Sequence, residues 1–216
     1  MSSTPRQMIS LQMKEMLFSK MTHDLVSPAG ATENGLELLE EESGDMAAEA
    51  LQLVKQSAAQ VSARMRVYRL CFGTAGAAAG MDLRTIQQTL LAFYRFEEKY
   101  TITFAECTGD LSAEAKKLLF NIVMCAADAL MYGGDIHVSW AAGVITITAT
   151  SKRPEKPVKA DALIVYTPST QELESLTPYN VQAWYTGYYA QQQGIALTVS
   201  LDNPAVMVVV AKTPLN

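Results

Sequence analysis

The 216-residue sequence has no excess of positive charge, no long apolar run and only two histidines. Its formal net charge of -5 argues against a general nucleic-acid binder, because phosphate backbones require a basic surface. No stretch approaches the roughly 18 consecutive apolar residues of a membrane span, and no apolar segment follows the opening MSSTPRQ. We therefore expect a cytoplasmic protein with neither a nucleic-acid nor a membrane partner.

Cysteine is scarce as well. The three cysteines, Cys71, Cys107 and Cys125, are odd in number, far apart and without a CxxC pair, which excludes a disulfide framework and the common zinc spacings. We expect free, mostly buried thiols of a reducing compartment. Any histidine chemistry must use His23 or His137.

Apolar residues, in contrast, are plentiful: 49% of the chain is hydrophobic and 18% is charged, a balance typical of a globular protein. The pattern predicts one long helix from about Pro5 to Glu42 and a second from Asp45 to Phe72. In the turn between them, Gly44 suits a helix C-terminus and Asp45 can cap the next helix.

Both helices carry an apolar stripe with the spacing of a helical bundle. In the second helix the stripe consists of Ala47, Leu51, Val54, Ala58, Val61, Met65, Tyr68 and Phe72. In the first helix it consists of Phe18, Met21, Leu25, Ala29, Thr32, Leu36 and Leu39. Because a single hairpin leaves this stripe half open to water, we expect a second copy to cover it in a homodimeric four-helix bundle.

After residue 72 the pattern changes to mixed helices and strands. The small-residue segment GTAGAAAG at 73–80 predicts a linker between a helical hairpin (1–72) and a second domain (81–216). We expect helices at 82–94, 112–131 and 181–193, and strands at 100–106, 136–140, 144–150, 162–166, 195–201 and 206–212. Helices on one face of a mixed sheet give an α+β sandwich.

His23 stands out on the first helix. At about 100° per residue it lies roughly 160° from the apolar stripe, so its imidazole should face solvent, where it is a competent nucleophile at neutral pH. Pro28 follows five residues later inside the helix, at a cost of about 3 kcal/mol. Geometry alone leaves a second interpretation open, in which His23 is an ordinary surface residue and Pro28 has no functional meaning.

The residues around His23 resemble a known motif. The run MTHDLVSP at 21–28 resembles the H-box of sensor histidine kinases, and its continuation AGATENGLELL at 29–39 is most similar to ChpT-type bacterial histidine phosphotransferases. The positions in register are His23, Asp24, Leu25, Ser27, Pro28, Asn34, Gly35, Leu36 and Leu38. The resemblance implies that His23 is the phosphoacceptor and that Asp24 orients its imidazole or accepts its proton.

The same resemblance implies the partners. They would be receiver domains of a hybrid histidine kinase and of response regulators, and these would supply the acidic pocket and the magnesium ion. This chain would supply a docking surface around His23, for which the candidates are Ser19, Lys20, Ser27, Gly30 and Arg66. Lys20 could steady phosphate charge, and the small Ser27 and Gly30 would leave room for a partner backbone. Arg66 could meet an acidic receiver, or belong to an ordinary solvated basic face.

The second domain resembles a degenerate ATPase domain of histidine kinases. At the position of the second N-box asparagine the chain has Cys125, a poor magnesium ligand, and at the lysine position it has Asp128. No glycine occurs between Ser151 and Pro178, where a kinase has glycine-rich nucleotide-binding segments. We therefore expect no ATP binding and no cofactor or metal of its own. We interpret the remaining N-box residue, Asn121, as a structural hydrogen-bonding residue.

Three other features favour packing over chemistry. The aromatic side chains of the last helix are expected in the core, although docking stays open as their alternative: Trp184, Tyr185, Tyr188 and Tyr189. His137 is interpreted as a structural strand residue, and Cys125 as a buried thiol.

The leading hypothesis is a phosphorelay protein that acts as a phosphotransferase through His23. A non-catalytic dimeric adaptor or kinase inhibitor, and an ATP-dependent histidine kinase, are the alternatives. In the first, His23 would be no more than a surface residue. In the second, the C-terminal region would bind ATP despite Cys125 and Asp128.

Overall fold

The structure, a computed structural model, describes residues 11–41, 43–159 and 176–213. Its helices are α1 (Leu11–Glu41), α2 (Asp45–Phe72), α3 (Leu83–Tyr94), α4 (Ala113–Ala129) and α5 (Val181–Gln192). Its strands are β1 (Tyr100–Cys107), β2 (Gly134–Ala141), β3 (Val144–Ser151), β4 (Ala196–Asn203) and β5 (Val206–Lys212). The α+β fold class is confirmed. The strand predicted at 162–166 lies outside the described residues.

The five strands form one mixed sheet in the order β1-β2-β3-β5-β4. β1 and β2 are parallel, and the other neighbours are antiparallel. Alternation decides which face is buried: in β2 the side chains of Ile136, Val138 and Trp140 are 0–3% exposed and face the helices. Side-chain caps mark the starts of α3 and α4, where Asp82 accepts a hydrogen bond from the Thr85 amide at 2.7 Å and Ser112 accepts one from the Ala115 amide at 3.2 Å. At α2 the expected cap is wrong: Asp45 is the first helical residue, and the capping position is Gly44.

The hairpin of α1 and α2 packs through small residues. Gly35 lies so close to α2 that an added Cβ would come within 2.8 Å of Val54 Cγ2. Ala50 and Ser57 are buried on the facing side of α2, and Pro28 is buried on α1. The helices can therefore approach closely along this line.

One side of the hairpin is left apolar and open. Phe18 and Leu36 on α1 are 67% and 50% exposed, and Leu51 and Met65 on α2 are 42% and 51% exposed. At about 100° per residue, both pairs lie roughly 90° from the line of α1–α2 contact and on the same side of the hairpin. We call these four residues the open apolar face. It contains four of the fifteen positions of the stripe expected from the sequence, while two others, Met21 and Leu25, pack against the main core of the same chain.

The stripe differs from expectation at the end of α2. Tyr68, expected in the dimer seam, is 1% exposed and belongs to the main core of the same chain. Phe72 packs against Tyr185 of α5, with ring centroids 5.3 Å apart. The C-terminal region therefore covers the last turns of α2 and removes them from the surface available to a second copy.

The segment 73–80 is packed against the rest of the chain. It contains a 3-10 helix, Ala75–Ala78, in which Ala78 is 1% exposed. The Lys117 ammonium of α4 donates to the Gly73 carbonyl at 2.6 Å. The connection thus joins the hairpin closely to α4, while its assignment as a domain boundary stays a prediction.

A second apolar cluster joins the start of α1 to α5. Met13 and Leu17 are 0% and 8% exposed there and pack with residues of α5. The aromatic side chains of α5 are all buried: Trp184, Tyr185, Tyr188 and Tyr189. The packing interpretation of these rings is confirmed. None of the helices in the described part of the chain combines the length and the apolar character that a membrane crossing requires.

Candidate active site on the first helix

His23 stands on the outer surface of α1. Its side chain is 88% exposed, and the residues that α1 buries lie elsewhere on the helix, at Met13, Leu17, Pro28 and Gly35. The expectation that the imidazole faces solvent is confirmed. Another protein can therefore reach the ring without any rearrangement of the core.

Asp24 contacts the imidazole and is itself anchored. Its Oδ1 lies 3.4 Å from His23 Nδ1, and its Oδ2 accepts a hydrogen bond of 2.5 Å from the Tyr68 hydroxyl. Burial, together with the bond to Asp24, raises the pKa of Tyr68 far above its usual value, so the phenol stays protonated and remains a donor. The sequence reasoning missed Tyr68. The sequence did contain a signal: Tyr68 brings a hydroxyl group into an otherwise apolar stripe, within a few residues of the point on α2 that lies opposite His23.

Lys20 connects the site to the C-terminal region. Its ammonium lies 3.1 Å and 3.3 Å from the two carboxylate oxygens of Asp128 on α4. Burial alone would lower the pKa of Lys20, but the charges of Asp128 and Asp24 outweigh it and the pKa is raised. Burial also raises the pKa of Asp128, in part offset by Lys20. The contact of Lys20 with phosphate stays a prediction.

A polar cleft of about 210 Å³ opens beside Asp24, between the hairpin and the C-terminal region. Its walls carry paired charges: Lys20 with Asp128, and Arg64 with Glu97 at 2.7 Å. These two ion pairs tie the hairpin to the C-terminal region close to the histidine.

Three of the predicted docking residues share a surface with His23. Ser19, Ser27 and Gly30 lie within about 40° of His23 around α1. Both serines are exposed, and a Cβ on Gly30 would meet nothing within 4 Å. The helix surface around the imidazole is therefore formed by small side chains and is accessible to a partner.

Arg66 lies elsewhere in the single chain. It is exposed on α2, about 170° around that helix from the residues that face α1, and it lines an apolar groove of about 500 Å³ with Met65, Arg69 and Leu70. The structure does not bring Arg66 and His23 together within one chain. Its role in partner binding stays a prediction.

The face of α4 that carries Asn121 and Cys125 is covered by α5. Asn121 is fully buried: its amide nitrogen donates to the carbonyls of Cys71 and Lys117 at 3.1 and 2.9 Å, and its oxygen accepts from Gln182 at 2.8 Å. The structural interpretation of Asn121 is confirmed. Every hydrogen-bonding group of this side chain is directed at the protein itself.

Cys125 is likewise buried, with its sulfur 3.2 Å from the Thr186 hydroxyl, as the sequence reasoning expected. Burial raises the pKa of this thiol to about 12, so it stays neutral. Over the part of the chain that the structure describes, the three cysteines are free and no cluster of three or more acidic, histidine or cysteine side chains could hold a metal ion. His137 is exposed on β2, with Nδ1 3.0 Å from the Thr103 hydroxyl.

Comparison with known proteins gives consistent matches. A family described as the histidine phosphotransferase C-terminal domain matches residues 83–205. The protein phosphotransferase ChpT of Brucella abortus (strain 2308) is 31% identical over 204 residues, which cover 91% of this chain and 94% of that protein. A solved bacterial phosphotransferase superimposes with a TM-score of 0.67 at 27% identity, covering 97% of this chain and all of the other. The likeness includes both the hairpin and the C-terminal region.

Proposed function

The chain belongs to the ChpT-like family of histidine phosphotransferases, and from this we propose that it is a phosphorelay intermediate that carries the phosphoryl group on His23. The donor would be a phosphorylated receiver aspartate of a hybrid histidine kinase, and the acceptor a receiver aspartate of a response regulator. One observation carries the assignment to this residue: an 88% exposed imidazole with a carboxylate at its Nδ1, on a helix that is otherwise tied to the protein.

The contact with Asp24 suggests which nitrogen reacts. With Nδ1 turned towards the carboxylate, Nε2 is the nitrogen that a partner can approach. Its lone pair forms the bond to phosphorus as the bond from phosphorus to the aspartyl oxygen breaks, and that oxygen leaves with the electron pair as a carboxylate. The proton on Nδ1 remains, and the negative charge of Asp24 balances the positive charge that develops on the ring. Transfer to the next aspartate is the reverse reaction.

The receiver supplies the rest of the chemistry in this proposal. Phosphoryl transfer between proteins depends mainly on in-line positioning and on neutralisation of charge. The acidic pocket and its magnesium ion belong to the receiver, while this chain contributes the accessible surface around His23. Ser19, Ser27 and Gly30 suit close approach of a partner backbone because none of them projects far from α1. Because such receivers act in the cytoplasm, the same location is proposed for this protein.

We further propose that transfer needs no ATP. The face of α4 on which a kinase would hold nucleotide and magnesium is occupied by α5, through the Asn121–Gln182 and Cys125–Thr186 contacts. Cys125 is a neutral thiol there, and magnesium prefers oxygen ligands. Asp128, at the position of a kinase lysine, is engaged by Lys20.

The open apolar face supports the homodimer. Three of its four side chains are at least half exposed, and all four lie along one side of both helices. A second copy turned by 180° about an axis parallel to the helices would place the same face against this one and close a four-helix bundle. Met65, at one end of this face, also borders the groove lined by Met81 and Thr85 of the C-terminal region, so the second copy would pack mainly against the other three residues.

The direct test is to incubate the protein with a phosphorylated receiver domain and to measure label that is labile in acid and stable in base. Labelling is expected with the receiver as donor and not with radiolabelled ATP alone. Labelling from ATP would instead favour a kinase. Undiminished relay by a His23→Ala variant would favour an adaptor that assembles the partners without carrying phosphate itself.

A further inference from the structure

Two contacts in series link the buried core to the exposed histidine. Tyr68 is 1% exposed, its hydroxyl donates to Asp24 Oδ2 at 2.5 Å, and Asp24 Oδ1 lies 3.4 Å from His23 Nδ1. Exposure rises along this series, since the side chain of Asp24 is 27% exposed and that of His23 is 88% exposed. The Asp24 carboxylate therefore connects the buried Tyr68 ring to the exposed imidazole of His23.

The ring of Tyr68 is held firmly. It packs edge-on against Phe93, with centroids 6.2 Å apart and planes at 78°, and lies 6.1 Å from the ring of Phe72. Close packing in a core leaves such a ring one position, so its hydroxyl oxygen is a fixed point beside α1. Phenylalanine would fill nearly the same space, so packing alone gives no reason for the hydroxyl. A buried hydroxyl is costly unless it is bonded, and this one bonds to Asp24.

The carboxylate of Asp24 requires such an anchor. A partly exposed aspartate can rotate among several positions around its side-chain bonds, and few of them place an oxygen at the Nδ1 of a neighbouring residue. The bond to Tyr68 fixes one oxygen and so restricts where the other can lie. With Nδ1 at that oxygen, the proton is kept on Nδ1 and the lone pair is left on Nε2.

We propose that Tyr68 is a positioning residue for phosphotransfer, which holds the Asp24 carboxylate so that it orients the His23 imidazole with Nε2 towards the incoming phosphoryl group. This inference rests on the proposed function, because it assumes that His23 is the residue that reacts. Tyr68 does not touch the phosphoryl group and acts through Asp24.

The test is a Tyr68→Phe variant, compared with Tyr100→Phe. The Tyr100→Phe variant also loses a hydroxyl hydrogen bond, but this one goes to the Ala127 carbonyl at 2.9 Å and not to Asp24. The phosphodonor is a receiver domain, loaded with acetyl phosphate, that labels the unaltered protein. At saturating receiver the transfer rate of Tyr68→Phe should fall about tenfold, the worth of one hydrogen bond to a charged group. The half-saturating receiver concentration should not change, because Tyr68 is buried away from the docking surface.

A double-mutant cycle separates positioning from general stability. If Tyr68 acts through Asp24, then adding Tyr68→Phe to an Asp24→Ala variant should slow transfer no further. Nitrogen-15 NMR of His23 gives a second readout: the fraction of neutral imidazole with the proton on Nδ1 should fall in Tyr68→Phe and stay unchanged in Tyr100→Phe. A merely structural role of Tyr68 would not move this fraction.

The outcomes distinguish this inference from the proposed function. Additive losses in the cycle, or an unchanged tautomer fraction with an unchanged rate, would overturn the role of Tyr68 while His23 remained the labelled residue. If no receiver labels the protein at His23, the proposed function itself is wrong. A thermal unfolding curve of Tyr68→Phe that matches that of Tyr100→Phe shows that the comparison is not distorted by unfolding.

Discussion

Replacing Leu51 by aspartate tests whether a second copy covers the open apolar face. Leu51 is 42% exposed in the single chain, so a charge there is tolerated by the monomer, but in the proposed dimer it would lie within the bundle. In the dimer the exposed part of the Leu51 side chain would be buried as well. This contributes about 1 kcal/mol per copy to dimer stability, nearly half of the roughly 2 kcal/mol for burial of a whole side chain. Burying an unpaired carboxylate costs about 2 kcal/mol or more per copy.

Both copies carry the change, so the dimer should lose about 6 kcal/mol, or roughly 10⁴-fold in dissociation constant. The matched control is Leu53→Asp. Leu53 is 38% exposed, two residues away, and lies about 160° around the helix from Leu51. Sedimentation equilibrium should give a monomer for Leu51→Asp and a dimer for Leu53→Asp. A dimer in both variants would show that this face is not the interface.

Two further predictions concern the contacts between the hairpin and the C-terminal region. Lys20→Met removes the partner of a carboxylate that is only 31% exposed, and it should lower the free energy of unfolding by about 1–3 kcal/mol at pH 7 relative to the exposed control Lys14→Met. Burial already raises the pKa of Asp128, and removal of the Lys20 charge would raise it further. The loss of unfolding free energy should therefore shrink as the pH falls and Asp128 takes up a proton. Urea unfolding at pH 7 and pH 4.5 checks this, and an equal loss at both pH values would contradict it. Asn121→Ala leaves the Cys71 carbonyl and the Gln182 amide without this partner and should cost about 1–3 kcal/mol in urea unfolding. An unchanged midpoint would contradict the structural role of Asn121.

Much of the fold could be predicted because its signals are local. The caps at Asp82 and Ser112 mark the starts of α3 and α4, and alternation marks the buried face of β2. The exposure of His23 was equally predictable, since the period of a helix fixes which residues lie opposite its apolar stripe.

The contacts that organise the site could not be predicted in this way. Tyr68 is 44 residues from Asp24, and Asp128 is 108 residues from Lys20. Periodicity indicates which side of a helix is apolar but not which part of the protein covers it. For this reason Tyr68 was expected in the dimer seam and is found in the core of its own chain.

The same limit applies to charged residues. The sequence placed Lys20 near His23 on α1, and that is correct, but its ammonium is turned to a carboxylate of α4 that only the tertiary structure brings near. Arg66 lies at nearly the same height along the hairpin as His23, which is why the sequence suggests it as a docking residue. Its side chain is on the face of α2 that is turned away from α1. To place a side chain at a site, both its height along the helix and its angle around the helix must be known.

The identity of the phosphorylated residue is the most direct test of the account. The protein should be labelled by a phosphorylated receiver, digested under alkaline conditions and examined by mass spectrometry, with a second receiver added as a chase. The phosphoryl group is expected on His23, absent from His23→Gln, and lost to the second receiver during the chase. Phosphate found on His137 or on any other side chain, or retained through the chase, would contradict the account.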